Sequence, residues 1–180
     1  LFSKDIGPGN CLIDEWVRKN SDKKFDFDGQ LASNGKKNEI IIEQALNLYS
    51  GRSNIKKRSL DTRDFDISFS RGLSLEDGAA TLTDFSASII GDALTSIIKK
   101  NESQIKNIVV CGGGRKNSLL MKLIKNYIPN KIYFKLIDEY GIDGDFVESQ
   151  AFAYLAVRSS KKLPISFPTT TSCSKPSTGG

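Results

Sequence analysis

Apolar residues return at helical spacing in five stretches of this 180-residue chain, and in two others they bunch or alternate as in strands. Leu12, Ile13, Trp16 and Val17 mark one stripe over Cys11–Asn20; Ile41, Ile42, Ala45, Leu46 and Tyr49 mark another over Asn38–Tyr49. The longest predicted helix follows Ser74-Leu75-Glu76-Asp77, a capping-box-like start, and runs to Lys100. Along it Ala80, Leu82, Phe85, Ile89, Ile90, Leu94, Ile97 and Ile98 are candidates for the core, and Gly78, Ala79, Ala87 and Gly91 admit a close neighbour. Ile108-Val109-Val110-Cys111 is an unbroken run that predicts a strand buried on both faces. Asn117 then caps a helix carrying Leu119, Leu120, Leu123, Ile124 and Ile128. Lys131–Leu136 alternates as a strand, and Phe146–Ser159 predicts a last helix, largely apolar through Val147, Ala151, Phe152, Tyr154, Leu155 and Ala156. Phe25–Gly35 predicts a short helix or loop, Ser50–Asp66 an extended polar loop, and residues 163–180 an extended surface tail.

Two places in this order repeat one device. Asp5-Ile6-Gly7-Pro8-Gly9-Asn10 precedes the first helix, with Asn10 as its N-cap and the end of a strand expected at Leu1–Lys4. Gly112-Gly113-Gly114 links the apolar run to the helix capped by Asn117. Strand, glycine turn and helix N-terminus together leave backbone N–H groups pointing outward, a geometry suited to phosphates. A tight turn holding no ligand accounts for three glycines equally well. Asp5 stands where open α/β sheets carry catalytic groups, although a lone Asp-x-Gly is also an ordinary turn. Glu148 falls in the first turn of the last helix, where the helix dipole alone favours a carboxylate.

Composition narrows the chemistry. There is no histidine and there are three scattered cysteines, which argues against a conventional zinc site or a histidine-based triad and suits a reducing cytoplasm. The net charge of +5 is spread along the chain, with the Arg52–Arg58 cluster read as a solvated face, so no nucleic-acid footprint is predicted. No apolar run approaches the length of a membrane span, and no secretory leader is expected. The chain opens on Leu1 and enters the Asp5 motif almost at once, as expected of a fragment.

Taken together, four blocks resemble one family. They are Asp5-Ile6-Gly7-Pro8-Gly9-Asn10 with Leu12, Asp14 and Trp16; Phe25–Gly35 with Ser59-Leu60-Asp61, Asp64-Phe65-Asp66 and Leu73–Thr83; Val110–Gly114 with Arg115, Asn117 and Leu119-Leu120-Met121; and Gly141-Ile142-Asp143-Gly144-Asp145 with Glu148 and Ala151-Phe152-Ala153. The family is anhydro-N-acetylmuramic acid kinase, within the hexokinase/actin/Hsp70-type superfamily. Lys4 and Ile6 depart from its usual Phe and Thr, and its N-terminal phosphate loop lies outside this sequence.

The resemblance implies an α/β fold: the C-terminal lobe of an actin-like (ribonuclease H-like) ATPase over 1–162, a mixed sheet flanked by helices, then the tail over 163–180. It implies a cytoplasmic homodimer that uses ATP and Mg2+ to open the anhydro ring of its sugar and phosphorylate O6. Asp5 would be the general base or a Mg2+ contact; Gly7, Gly9 and Asn10 would meet ATP phosphates, Gly112, Gly113 and Gly114 the adenosine, and Glu148 the sugar. Another sugar kinase of the superfamily, or a non-catalytic nucleotide-binding fragment, is the alternative. An isolated lobe would expose part of its sheet and its interlobe face.

Overall fold

The computed structural model describes residues 3–50, 64–101 and 104–179. Much of the Ser50–Asp66 loop, including Ser59-Leu60-Asp61, and Leu1 and Phe2 of the first expected strand lie outside them. Ser3 and Lys4 are irregular rather than strand. Among the described residues seven α-helices and two strands follow in order: α1 (Cys11–Asn20), α2 (Gln30–Asn34), α3 (Glu39–Ser50), α4 (Leu75–Lys100), β1 (Asn107–Val110), α5 (Ser118–Lys125), β2 (Tyr133–Leu136), α6 (Val147–Ser160) and α7 (Pro168–Thr171).

Helix α4 is the spine. Ser74 caps it by accepting from Asp77 N at 3.1 Å. The return half of the expected capping box is replaced: the Asp77 carboxylate accepts from Lys36 N at 2.7 Å, tying the segment before α3 to α4. Its N-terminal half packs on α1, α2 and α3 in one core with Leu12, Ile13, Trp16, Val17, Leu82 and Phe85. Its C-terminal half joins α5 and the sheet in a second, through Ile98, Leu120, Ile124, Ile128 and Ile132. Ile90, Leu94 and Ile97, expected inside, are half-buried.

Two glycines of α4 make these contacts close. Trp16 lies on Gly78, where an added methyl would overlap the indole, and Trp16 Nε1 donates to Leu75 O at 2.9 Å. Tyr127 lies on Gly91 in the same manner, and its hydroxyl bonds Ser88 Oγ at 2.9 Å.

β1 and β2 pair in parallel, Asn107 opposite Tyr133 through Val110 opposite Leu136. The expectation of a mixed sheet is corrected by this all-parallel pair, the one named sheet among the described residues. The expectation of a strand buried on both faces over Ile108–Cys111 is corrected too. Ile108 and Phe134 pack on the second core, whereas Val109 is 45% and Tyr133 65% exposed, and Cys111 is outside the strand and exposed. The helices cover one face of the pair, so the apolar run reads as buried on both faces but is buried on one.

Helix α6 holds no buried residue, with Phe152 and Tyr154 open to solvent. Beyond it the chain does not stay extended. Arg158 Nε donates to Pro164 O at 2.7 Å, α7 makes one turn, and Ser166 and Ser177 form an antiparallel bridge. No helix among the described residues is long and apolar enough to cross a membrane.

The Trp16–Gly78 contact leaves no room for a side chain. Gly78→Ala is expected to destabilise the fold by ~1–3 kcal/mol, since overpacking a filled core forces backbone or rotamer shifts. Gly113→Ala, where an added methyl meets nothing within 4 Å, is expected to fall within ~0.5 kcal/mol of the parent. Urea unfolding of the two variants checks this, and equal losses would contradict the packing account.

Candidate functional site

The two glycine turns meet at one cleft. In the first, Cys11 N donates to Pro8 O at 3.1 Å, and Gly9 takes a left-handed φ of +55° that lets the chain turn into α1. Asn10 sits at the N-cap position but its side chain does not cap, contrary to the sequence expectation. Its backbone is already helical, and its Oδ1 instead accepts from Asn117 Nδ2 at 3.4 Å. Asn117 does cap: its Oδ1 accepts from Leu120 N at 3.0 Å. A single buried asparagine therefore starts α5 and ties the second glycine turn to the first. Gly7 is pressed on α4, where an added methyl would come within 2.8 Å of Ile90 Cγ1, so close packing already accounts for glycine there.

In the second turn Gly112 has φ +81°, and its N–H is engaged, donating to Gly144 O at 3.1 Å. Gly113–Lys116 then forms a 3-10 turn closed by Asn117 N to Gly114 O at 3.1 Å. A side chain at Gly113 or Gly114 would point into open space.

The cleft between the turns has a volume of about 650 Å3, within the range of small-molecule sites. Asn10, Gly113, Gly114 and Asn117 form part of its wall, with Phe25 and Phe27, Asp14, Asp26 and Asp28, and Lys116 and Asp145 around them. Of the residues predicted from sequence, the fold brings Asn10, Gly113 and Gly114 together here. Gly7, Gly9 and Gly112 support the two turns without lining the cleft. Asp5 is exposed in the irregular segment ahead of α1, and Glu148 is exposed in the first turn of α6; neither lines the cleft.

Sequence reasoning assigned no role to the aromatic pair. Phe25 and Phe27 are 51% and 67% exposed, their ring centroids 6.4 Å apart at 40°. The available signal was two phenylalanines two positions apart in a polar stretch with no helical stripe to join. Asp26 between them faces inward and caps α2, accepting from Leu31 N at 2.7 Å and Ala32 N at 3.0 Å. Asp28, in the left-handed region at φ 55°, accepts from Ser118 N at 3.3 Å and so holds this loop against the start of α5. Burial pushes the Asp14 carboxyl up, opposed by Arg18.

Arg115 was also unassigned. Its side chain is 5% exposed and forks onto Asp138, Nε to Oδ2 at 2.7 Å and Nη2 to Oδ1 at 2.9 Å. Nη1 reaches Asp145 Oδ1 at 2.6 Å and Gly112 O at 3.1 Å. Lys116 pairs with the other oxygen of Asp145. Hydrogen bonding to Arg115 holds the Asp138 carboxyl well below the usual carboxylate range, and hydrogen bonds from Arg115 and Lys116 lower that of Asp145.

Among the described residues no group of three or more His, Cys, Asp or Glu is arranged around a metal position. Of the acids on the cleft, Asp26 and Asp145 spend both oxygens on protein donors. Such a wall fits a cation that arrives with phosphates and needs one or two protein carboxylates, and does not fit a cage of protein ligands.

Comparison with known proteins agrees with the blocks read in the sequence. The family model described as anhydro-N-acetylmuramic acid kinase matches residues 1–180. A protein of that name from Pelagibacter ubique is 52% identical over 180 residues, covering 100% of this chain and 48% of the relative. Relatives of the same name from Zymomonas mobilis and Caulobacter vibrioides are each 38% identical, over 100% of this chain and 47% of theirs. The chain thus spans about half the length of the curated relatives it matches.

Because Asp138 has its pKa lowered by folding, the sign of its pH dependence is fixed. Its contribution is full above the ordinary value of 3.8 and is lost as pH falls toward the depressed one. Asp138→Asn is expected to lower the denaturant midpoint by a constant amount from about pH 5 upward, the gap to the parent closing only in stronger acid. A gap that closes between about pH 6 and 7 would contradict the Arg115 ion pair.

Proposed function

Since the chain belongs to the anhydro-N-acetylmuramic acid kinase family, we propose that it is the nucleotide-holding part of an ATP-dependent kinase acting on anhydro-N-acetylmuramic acid. The observation that carries this is the single cleft in which the two glycine turns of the family's blocks meet, joined by the Asn10–Asn117 hydrogen bond. Residues 1–162 are then the C-terminal lobe of an actin-like kinase, 163–180 its tail, and the complete enzyme a cytoplasmic homodimer.

In this reading adenosine rests on the bare backbone of Gly113 and Gly114, with Gly112 setting the turn and Phe25 and Phe27 offering aromatic faces to the base. Exposed aromatic rings beside a glycine floor gain from stacking and apolar burial what they lose by standing in water. The phosphates run toward Gly7, Gly9 and Asn10, where the N-terminus of α1 supplies N–H groups and a favourable dipole. Asp5 takes the proton of the water that attacks the anomeric carbon. The bond from that carbon to O6 breaks, O6 accepts the γ-phosphoryl group, and ADP leaves. Glu148 hydrogen-bonds the sugar. Mg2+ would arrive with ATP and, when bound, would supply charge neutralisation on the transferring phosphoryl group; Asp5 would meet it only as the alternative to its role as base.

The test joins this chain to the other half that its relatives carry and supplies ATP, Mg2+ and the anhydro sugar in water enriched in heavy oxygen. A 6-phosphorylated, ring-opened product labelled at the anomeric carbon is expected by mass spectrometry. Asp5→Asn is expected to lower the rate by ~10²–10⁴-fold, the usual value of a positioned general base. Phosphate on another sugar would overturn the substrate, an unlabelled product would overturn the water attack, and full activity in the variant would overturn the role of Asp5.

A further inference from the structure

We infer that Arg115 is a positioning residue for nucleotide binding, holding the Gly113–Gly114 wall of the cleft at the height a nucleotide requires. The inference rests on the nucleotide reading of that cleft. Arg115 belongs to neither hydrophobic core, yet its side chain is 5% exposed. Its interactions run to one small region: both oxygens of Asp138, one of Asp145, Gly112 O, and Asp143 Oδ1 at 3.8 Å. A second set of bonds closes the same joint without it. Gly112 N donates to Gly144 O at 3.1 Å, and Gly144 N donates to Asp138 Oδ1 at 3.3 Å. Gly144 lies so close under the guanidinium that any side chain there would overlap Arg115 Nε and Cζ.

What this joint holds is the cleft wall. Gly113, Gly114, Lys116 and Asp145, which line the cleft, are the neighbours and the partner of Arg115, whereas Arg115 and Asp138 themselves do not line it. A planar fork with five N–H groups satisfies Asp138, Asp145 and Gly112 O at once; an ammonium carries the charge but not the geometry. Loss of the fork therefore leaves the cleft wall on the Gly112–Gly144 and Gly144–Asp138 bonds alone, free to shift, while both cores keep their packing. Losing a hydrogen bond to a charged ligand through such a shift is worth ~10–100-fold in affinity.

The test is calorimetric titration, with ADP and Mg2+, of this chain joined to the other half that its relatives carry, reading the dissociation constant and the stoichiometry separately, for the parent, Arg115→Met, Arg115→Lys and Asp138→Asn. A role confined to stability lowers the fraction of competent molecules, and hence the stoichiometry, but leaves the dissociation constant of the folded fraction alone. Positioning is expected to raise the dissociation constant ~10–100-fold in Arg115→Met at unchanged stoichiometry, with Arg115→Lys and Asp138→Asn in between. If Arg115→Met does not fold, the other two variants decide on the same criterion. An unchanged dissociation constant in them overturns the inference and leaves the nucleotide reading standing. A parent protein, so joined, that binds no ADP overturns the nucleotide reading itself, and this inference with it.

Discussion

Two aromatic side chains laid on two glycines of one helix set the geometry of everything else. Trp16 rests on Gly78 and Tyr127 on Gly91, so α1 and the turn after α5 approach the α4 backbone more closely than any residue with a Cβ would allow. Because both contacts fall on a single 26-residue helix, they also fix α1 relative to α5. Each of these helices begins just after a glycine turn. Packing on α4, whose residues do not line the cleft, thus decides that the two turns face one another across it.

The cleft is finished by polar joints rather than by apolar burial. Asn117 caps α5 through its oxygen and reaches Asn10 through its nitrogen, using both ends of one amide. Asp28 ties the aromatic loop to the start of α5, and Arg115 ties the second glycine turn to the 138–145 loop. These joints are charged or multiply hydrogen-bonded, so each is directional and leaves an unpaired group behind if broken. A phosphate-bearing ligand needs such fixed donors, since its binding depends on placement more than on area.

Helices were legible in the sequence wherever apolar residues formed a stripe, as at α1, α3, α4 and α5. The exceptions have physical causes. Ile108–Cys111 is uniformly apolar, yet one face of β1 is open, because composition reports what a residue tolerates and not how many layers cover it. Helix α6 forms where the sequence predicts it, yet none of its apolar residues is buried. Of the site, the glycine positions were readable because positive φ and close approach restrict residue type. Arg115 was not: an arginine beside three glycines looks like any solvated cation until the fold brings Asp138 and Asp145 to it from more than twenty residues away. Phe25 and Phe27 carried only the weak signal of aromatic residues without a stripe.

The account turns on the cleft being where nucleotide binds. The most direct measurement is an amide-resolved NMR titration of the chain with ATP and Mg2+. Shift changes concentrated at Asn10, Phe25, Phe27, Gly113, Gly114 and Lys116, with α3 and α6 silent, are the predicted result. Saturable changes centred on α3 or α6, with the two glycine turns unmoved, would contradict it.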